Sequence, residues 1–369
     1  MTVFEDRTRR CQSRLADAGA DAAVLFPSTN LFYASGFREE PGERHLFLFV
    51  PSDGDPVFVA PQMYDEQIGD ASWVADRRLW DDGEDPMALV GAVADELDLR
   101  GGRLLVDDRM WALFTQDLRE TLPDATFGLA SEVFDDLRVR KDEAELAALR
   151  AAGAVADEAS VAVRELGEDA IGMTETELAG EIERLLAERG GGDLSFGTVV
   201  GSGPNGAKPH YRHGDREIER GDPVVLDFGA YVDDYPGDQT RTVVFAGDPP
   251  EEFERVHEVV REAQQAGVEA AEPGVPAEAV DRAAREVIEE AGYGDRFTHR
   301  TGHGVGLDVH EEPYVVAGNE TELEPGMVFS VEPGVYLPGE FGVRIEDLVA
   351  VTEDGCERLN DSPRTWKPL

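Results

Sequence analysis

Cysteine is scarce in this sequence, which has only Cys11 and Cys356 among its 369 residues. Two cysteines cannot form the set of disulfides that stabilises small secreted domains, so we expect a protein of the reducing cytoplasm. Long apolar runs are also missing: no stretch reaches the roughly 18 to 20 uninterrupted apolar residues of a membrane helix. No apolar run follows the charged start MTVFEDRTRRCQ, so no signal peptide is predicted.

Positive charge is scarce as well. The sequence has 34 Lys and Arg against 78 Asp and Glu, a formal net charge of −44, and its only lysines are Lys141, Lys208 and Lys367. Such a charge argues against nucleic acid and anionic membranes as partners, because like charges repel. The self-repulsion is screened at molar salt, where the Debye length falls to about 3 Å. We therefore expect a salt-rich cytoplasm, as in an extreme halophile, with most acidic residues coating the surface.

The chain is long enough for two domains of ordinary size. With 41% hydrophobic and 8% aromatic residues it can also bury a sizeable core. In residues 1–134, AAVLFP, HLFLFV, PVFVAP and RLLVDD predict strands, and helical spacing appears around 86–99 and 109–120. This pattern indicates a small α/β amino-terminal domain. It contains no cluster of His, Cys and Asp of the kind that binds a metal.

Residues 135–369 follow a different plan, in which two helices and a carboxylate-bearing hairpin occur twice. Predicted helices at 139–166 and about 174–189 precede a hairpin over 223–247. The segment DPPE at 248–251 then predicts a helix N-terminus, with an N-cap acid and prolines in the first turn. Helices to about 271 and over about 276–291 lead to a second hairpin over 327–351. We interpret this region as an α+β catalytic domain with pseudo-twofold halves.

Four aspartates of the first hairpin differ in context. Asp227 lies in the apolar run VVLDF, and Asp238 begins the returning strand, whereas Asp233 and Asp234 occupy the turn. Aspartate is common in turns because it hydrogen-bonds locally, so the turn pair is interpreted as surface. Facing side chains of a hairpin have Cβ atoms about 5 Å apart. Two buried carboxylates that close repel unless they are protonated or neutralised by cations, which favours a metal pair at Asp227 and Asp238.

The second hairpin has the same arrangement, with Glu332 in VFSVEPGVY and Glu346 in GVRIEDLVAV. A structural pair between Glu346 and Arg344, two residues earlier on the same face, is the alternative interpretation. The repetition of carboxylates in both hairpins favours the metal interpretation. Four carboxylates that converge from two pseudo-symmetric hairpins would hold two divalent cations.

Histidines supply nitrogen ligands in the same region. Of the seven in the chain, His45 and His257 stand apart and are interpreted as structural or solvated. Glycines at 302, 304 and 306 disfavour a helix, so the backbone there is predicted to be extended and to allow close approach of a metal or substrate. The other five histidines fall in the windows KPHYRHG and HRTGHGVGLDVH and are His210, His213, His299, His303 and His310.

These motifs together resemble the pita-bread-fold metallopeptidases, namely prolidase (Xaa-Pro dipeptidase), aminopeptidase P and methionine aminopeptidase. The resemblance rests on LDFGAYVDDYPGDQTRT, GHGVGLDVHEEP, SVEPGVY and RIEDLV, in that order. The segment TNLFYASGF at 29–37 is similar to the creatinase/prolidase amino-terminal domain, which methionine aminopeptidases lack. Where many relatives have Ser-Asp-Ile, this chain has Gly237-Asp238-Gln239, a departure that changes no ligand.

The resemblance implies a dinuclear metal site and a set of residues that act on the substrate. Mn²⁺ is the favoured ion, with Co²⁺ and Zn²⁺ as alternatives, and a metal-bridging hydroxide would attack the scissile carbonyl. His310 and His299 would stabilise the oxyanion or position the substrate, and His210 would contact the scissile amide or its leaving side. Glu332 would also move the proton, Arg344 matches an arginine near the last ligand, and His213 has no family role. The implied metal ligands are Asp227, Asp238, His303, Glu332 and Glu346.

Several functions stay open at this point. The favoured one is Xaa-Pro dipeptidase, with aminopeptidase P on longer Xaa-Pro peptides close behind. A family member that hydrolyses a non-peptide amide, such as an ectoine derivative, is a further alternative. A binding module on the same scaffold is the non-enzymatic alternative, and the intact ligand set speaks against it. By analogy with relatives, we also expect a homodimer.

Overall fold

The computed structural model describes residues 2–367. The chain divides into two compact units, one that ends at Arg138 and one that begins at Val139. The prediction from sequence placed this boundary after residue 134, within the last helix of the first unit. No helix in the described part of the chain is both long enough and apolar enough to span a membrane.

The first unit is an α/β domain built on one six-stranded sheet. Its strand order is β4-β3-β2-β1-β5-β6. The pairs β1–β2 and β2–β3 are antiparallel, and the pairs β1–β5, β3–β4 and β5–β6 are parallel. The elements are α1 (Val3–Asp17), β1 (Ala22–Leu25), α2 (Thr29–Ser35), β2 (Phe47–Pro51), β3 (Val57–Pro61), α3 (Asp65–Ala71), β4 (Asp76–Trp80), α4 (Pro86–Glu96), β5 (Arg103–Val106), α5 (Ala112–Thr121), β6 (Thr126–Leu129) and α6 (Ser131–Arg138).

The four predicted strands and both predicted helices of this unit are confirmed. The two unpredicted strands, β4 and β6, are the edges of the sheet. Their sequences, DRRLW and TFGL, are mostly half-buried or exposed, so they lack the apolar runs that reveal a central strand.

The second unit contains the repeated plan of two helices followed by paired strands. Its sheets have the orders β11-β8-β7 and β13-β12-β14-β17-β18, with two-stranded ladders β9–β10 and β15–β16 beside them. The elements are α7 (Glu143–Arg164), α8 (Glu175–Glu188), β7 (Val199–Ser202), β8 (Val224–Phe228), β9 (Tyr231–Val232), β10 (Tyr235–Pro236), β11 (Gln239–Val243), α9 (Phe253–Glu269), α10 (Ala277–Glu290), β12 (Gly302–Gly304), β13 (Glu311–Val315), β14 (Val328–Val331), β15 (Gly334–Leu337), β16 (Phe341–Arg344), β17 (Asp347–Thr352) and β18 (Gly355–Arg358).

Local capping explains two of the helix starts in this unit and corrects a third. Capping boxes begin α7, at Asp142, and α8, at Thr174. The predicted N-cap at Asp248 is wrong, because α9 begins only at Phe253 and Glu252 precedes it without a side-chain cap. The residue before a proline avoids the helical region, so Pro249 cannot be helical ahead of Pro250 and the start moves past both prolines.

The carboxylate-bearing hairpins are interrupted where three of the four acidic residues lie. Register pairs Asp227 with Thr240, so the predicted facing of Asp227 and Asp238 is wrong; Asp238 instead follows the end of β10 and precedes β11. Glu332 likewise lies between β14 and β15, and Glu346 between β16 and β17. At these breaks the chain passes from one ladder to another. Side chains there are therefore not restricted to the alternating faces of a continuous strand and can converge.

Candidate metal centre

Three of the predicted ligands form a compact buried group. One ligand atom from each of Asp238, His303 and Glu346 lies within 4.8 Å of the other two. The three residues are at most 4% exposed. Water therefore cannot separate or solvate these groups as it would on the surface, and their charges interact strongly.

Glu332 joins this group from the neighbouring chain break. Its Oε1 lies 3.4 Å from His303 Nε2, and Asp238 Oδ2 lies 3.7 Å from the same nitrogen. Ser330 donates a hydrogen bond of 3.3 Å to Glu332 Oε1 and accepts one from the His303 backbone N–H. The serine thus ties β14 to the histidine strand and orients the glutamate toward the imidazole.

Asp227, the fifth predicted ligand, is paired with Arg344. The Arg344 guanidinium donates to Asp227 Oδ2 at 2.5 Å. The sequence alternative, in which Arg344 pairs with Glu346, is therefore wrong about the partner. The other oxygen, Asp227 Oδ1, is buried and has no hydrogen-bond partner within residues 2–367. Burying a carboxylate oxygen without a hydrogen-bond donor costs free energy, and a bound cation would remove that cost.

His303 has the tautomer and protonation state that a metal ligand needs. Its Nδ1 lies 3.2 Å from the Gly304 carbonyl oxygen, so Nδ1 carries the hydrogen and Nε2 presents its lone pair to the carboxylates. Burial lowers the pKa of His303 to about 3. The imidazole is therefore neutral at physiological pH, the form that binds metals.

The pKa values of the four carboxylates are raised because these groups are brought together away from water. Burial, followed by repulsion from neighbouring carboxylates, raises the pKa of Asp238 and of Glu346 well above the usual range. Burial raises the pKa of Glu332 to about 7, and Arg344 opposes this shift. Burial also raises the pKa of Asp227 against the opposing effect of Arg344. A divalent cation among these groups would reverse the shifts by favouring their charged forms.

Close backbone packing fixes the positions of these ligands. A Cβ at Gly302 would lie 1.8 Å from the Ser330 carbonyl oxygen, so only glycine lets β12 approach β14 this closely. On the other side, Glu346 is held to β11 through both of its backbone polar groups. Its N–H donates to Thr240 O at 3.1 Å, and its carbonyl accepts from Arg241 at 2.6 Å.

The five residues predicted to be catalytic, His210, His299, His310, Glu332 and Arg344, all line one cavity with the candidate ligands. The cavity has a volume of about 360 Å³. The His310 ring lies on the His303 ring, with centroids 4.0 Å apart. His213, which had no predicted role, does not line this cavity; its Nδ1 lies 3.0 Å from Thr176 Oγ1.

His299 has both ring nitrogens engaged by the protein. Nδ1 lies 2.8 Å from the Arg300 carbonyl oxygen, which assigns the hydrogen to Nδ1, and Nε2 then accepts from the Tyr336 hydroxyl at 2.8 Å. Arg344 donates to the same hydroxyl oxygen at 3.1 Å. Burial and the Arg344 charge lower the pKa of His299 to about 4, so it is neutral at physiological pH. A chain of hydrogen bonds thus runs from His299 through Tyr336 and Arg344 to Asp227.

A second buried carboxylate organises the loop that carries His210. Glu175 is fully buried and accepts hydrogen bonds from Ser202 through its backbone and hydroxyl, from Asn205 and from Tyr211. The Pro209 carbonyl also accepts from Arg344 at 3.2 Å. His210 is therefore held between two fixed neighbours.

Sequence reasoning missed Tyr336, Glu175, Thr240, Arg212 and Arg300 as residues of the site or its support. Tyr336 is the last residue of the SVEPGVY motif, and nothing in its neighbouring sequence indicated a role in the site. Glu175 is the first residue of α8, where an acidic side chain is common, so its sequence position gave no sign of a further role.

The residues present fit divalent metal ions. The set comprises four carboxylates and one neutral imidazole, of which Asp227 and Glu332 are half-buried and the others buried. It contains one buried carboxylate oxygen that no described protein group satisfies. Oxygen-rich ligation with one imidazole suits Mn²⁺ or Co²⁺ better than structural zinc, whose sites favour thiolates.

Comparison with known proteins identifies the class to which this site belongs. Residues 147–353 match the model of metallopeptidase family M24, and residues 7–140 match the creatinase/prolidase N-terminal domain. This chain belongs to metallopeptidase family M24. The family membership, the peptidase class and the fold predicted from the motifs are confirmed, and the family implies divalent metal ions.

Similar proteins span nearly the whole chain. A Mycobacterium tuberculosis protein named "Probable dipeptidase PepE" is 42% identical over 98% of this chain and 95% of its own length. An Xaa-Pro dipeptidase of Lactobacillus helveticus is 38% identical over 97% of each chain. The crystal structure of a prolidase from Thermococcus sibiricus has a TM-score of 0.94 and 38% identity, covering 100% of both chains.

Proposed function

We propose that this chain is a dinuclear metallopeptidase that hydrolyses the bond before proline in Xaa-Pro dipeptides. The observation that carries the proposal is the convergence of five ligand-type side chains on the wall of one small cavity. The similarity to relatives named Xaa-Pro dipeptidase and prolidase supports the substrate class.

Two divalent ions, Mn²⁺ in the favoured case, would be held by Asp227, Asp238, His303, Glu332 and Glu346. Bound there, they would supply a water nucleophile of lowered pKa and polarise the scissile carbonyl. Asp227 has one oxygen free of protein donors, and Arg344 holds the other, so the carboxylate is already oriented for this role.

Glu332 is the residue proposed to move the proton. This carboxyl lines the cavity among the other ligands, where it would accept a proton from the attacking water and pass it to the leaving nitrogen. Its hydrogen bond from Ser330 fixes one oxygen of the carboxylate.

The histidines have separate proposed roles. His210 and His310 line the cavity, and we assign them to the leaving side of the amide and to the developing oxyanion, respectively. His299 uses both nitrogens within the protein, so its proposed role is to position the Tyr336 hydroxyl.

The dipeptide as substrate agrees with the size of the cavity. A volume of about 360 Å³ is at the small end of the range for ligand pockets, which is roughly 300–1,000 Å³. The bond before proline is a tertiary amide without an N–H. A site that works by polarising the carbonyl does not depend on a hydrogen bond from that missing group.

The deciding experiment is hydrolysis of an Xaa-Pro dipeptide beside an Xaa-Pro-Yaa tripeptide, in molar KCl with added Mn²⁺. Cleavage of the dipeptide alone is expected. Preference for the tripeptide would instead make the enzyme an aminopeptidase P. Failure to cut either peptide, with two metals bound, would contradict the peptide substrate and direct a screen to N-acyl small molecules.

Metal analysis tests the dinuclear assignment separately. Purified protein is expected to bind about two equivalents of Mn²⁺ or Co²⁺ and to lose activity when they are removed. Protein that binds no divalent metal would favour a binding module. The homodimer stays a prediction, to be checked by light scattering in the same salt.

A further inference from the structure

Three arginines line the cavity, and only one of them has an unassigned guanidinium. Arg344 is paired with Asp227 at the metal centre. Arg300 lies over the Tyr314 ring at 4.2 Å from its centroid, and its charge acts on Glu332 and His303. Arg212 is exposed and makes no side-chain hydrogen bond or ion pair that is recorded for residues 2–367.

The backbone around Arg212 is nevertheless firmly held. Its carbonyl accepts from the Val200 N–H of β7 at 2.5 Å. The preceding residue, Tyr211, is anchored through its hydroxyl by buried Glu175 at 2.8 Å and by Asn205 at 3.1 Å. The loop therefore presents Arg212 from a fixed point, two residues after His210.

Gly197 makes room for the Arg212 side chain on the cavity wall. A Cβ at Gly197 would lie 3.0 Å from the guanidinium carbon of Arg212 and 3.1 Å from its Nε. Any larger residue would displace the guanidinium. The guanidinium thus lies against a backbone segment that also lines the cavity.

The lack of a recorded acidic partner is informative in this chain. The sequence has 78 Asp and Glu, and many of its arginines are paired with them in the structure. An arginine that lines a cavity without such a partner keeps its donors available for a ligand. A guanidinium binds a carboxylate with two parallel hydrogen bonds, so the complementary ligand group is a carboxylate.

The apolar residues that line the cavity with Arg212 restrict the kind of ligand that fits. Phe196, Val199, Pro209 and Val309 are apolar and line the same cavity as Arg212 and the candidate metal ligands. A ligand that combines a small apolar ring with a carboxylate fits this lining. The leaving residue of an Xaa-Pro dipeptide is such a group.

We propose that Arg212 binds the free carboxylate of the substrate's carboxyl-terminal proline and thereby restricts the enzyme to dipeptides. This inference rests on the proposed function and adds the residue that sets substrate length. In a longer peptide the carboxylate is replaced by an amide, which offers one neutral oxygen and no charge to the guanidinium.

The test compares an Xaa-Pro dipeptide with its carboxyl-terminal amide, using metal-loaded enzyme. Arg212→Met is expected to lower kcat/KM for the dipeptide by about 10- to 100-fold, mainly through KM, because a charged hydrogen-bonded pair is lost. Hydrolysis of the amide is expected to change less than about twofold. Arg212→Lys should retain part of the preference for the dipeptide, since it keeps the charge but loses the paired geometry.

Arg296→Met is the matched control, because Arg296 is also exposed, makes no recorded side-chain hydrogen bond in the described chain, and does not line the cavity. Equal losses on dipeptide and amide in Arg212→Met would overturn the inference, as would an acid-selective loss in Arg300→Met instead. Those results would leave the proposed function intact. Wild-type enzyme that cleaves no Xaa-Pro substrate would overturn both.

Discussion

Replacing Asp238 with asparagine should make the metal-free protein more stable and the metal-loaded protein less stable than wild type. Asp238 and Glu346 have ligand atoms within 4.8 Å of each other. Two ionised carboxylates at that distance repel by about 3 kcal/mol at an effective dielectric constant of about 20. Metal-free wild-type protein is destabilised by up to this amount at alkaline pH. Either both carboxylates ionise and repel each other, or one of them stays protonated although the solution pH favours its ionised form. Asn removes the charge and keeps the shape.

We therefore expect metal-free Asp238→Asn to be more stable than metal-free wild type, by up to about 3 kcal/mol at about pH 8. With Mn²⁺ at about 1,000 times its Kd, wild type gains about 4.1 kcal/mol from binding, and the variant gains much less. The order of stability should then invert, and metal-dependent activity should be lost in the variant.

The assay is denaturant unfolding in EDTA and in Mn²⁺ at constant salt, with activity measured in parallel. Asp233→Asn is the matched control, because Asp233 is exposed in the same hairpin and has a φ of 48°, which Asn also tolerates. The control should behave as wild type in every condition. A metal-free Asp238→Asn that is less stable than wild type, or one that keeps full activity, would refute the metal-ligand assignment.

Three further predictions concern pH, a buried ion pair and salt. The pKa of Glu332 is raised to about 7 in the folded protein from an ordinary 4.5. The protonated carboxyl therefore stabilises the metal-free protein at low pH, and about 3 kcal/mol of unfolding free energy is lost as pH rises from about 4.5 through about 7. Urea midpoints of wild type minus those of Glu332→Gln should show this fall, and a constant difference would contradict it. Lys141 and Glu311 form a buried ion pair of 2.6 Å, so Lys141→Met should cost about 3–5 kcal/mol in unfolding free energy. The double change Lys141→Met/Glu311→Gln should recover part of that cost in the same measurement. The charge of −44 predicts that melting temperature rises between about 0.1 and about 1 M KCl, and an unchanged value would contradict the screening argument.

The side chains that gather at the candidate metal centre could be singled out from sequence because each has a strong local signal. Asp227, Asp238, Glu332 and Glu346 are acidic residues within or beside apolar strands, where a surface acid does not belong. The glycines around His303 excluded a helix, and the structure confirms a short strand at Gly302–Gly304. These signals depend only on neighbours in the chain.

The contacts that arrange the ligands could not be predicted, since they join distant segments. The pairing of Arg344 with Asp227 spans 117 positions, and sequence proximity pointed to Glu346 instead. Tyr336 has no local mark of its bond to His299. The register that places Asp227 opposite Thr240 depends on the small β9–β10 ladder, which takes up residues that a plain hairpin would pair.

The many acidic residues of this chain act in two opposite ways, and burial decides which. An exposed carboxylate at molar salt interacts over about 3 Å, so most of the 78 contribute little individually and bind cations weakly. The carboxylates of the candidate metal centre are buried or half-buried and are screened much less, so their mutual repulsion persists in salt and only nearby charges can offset it. Arg344 offsets part of this repulsion through its hydrogen bond to Asp227. The raised pKa of Asp238 and of Glu346 shows that repulsion between the carboxylates remains. The fold thus stores an unfavourable charge arrangement at one place, and divalent cations are the ligands that relieve it even in concentrated monovalent salt.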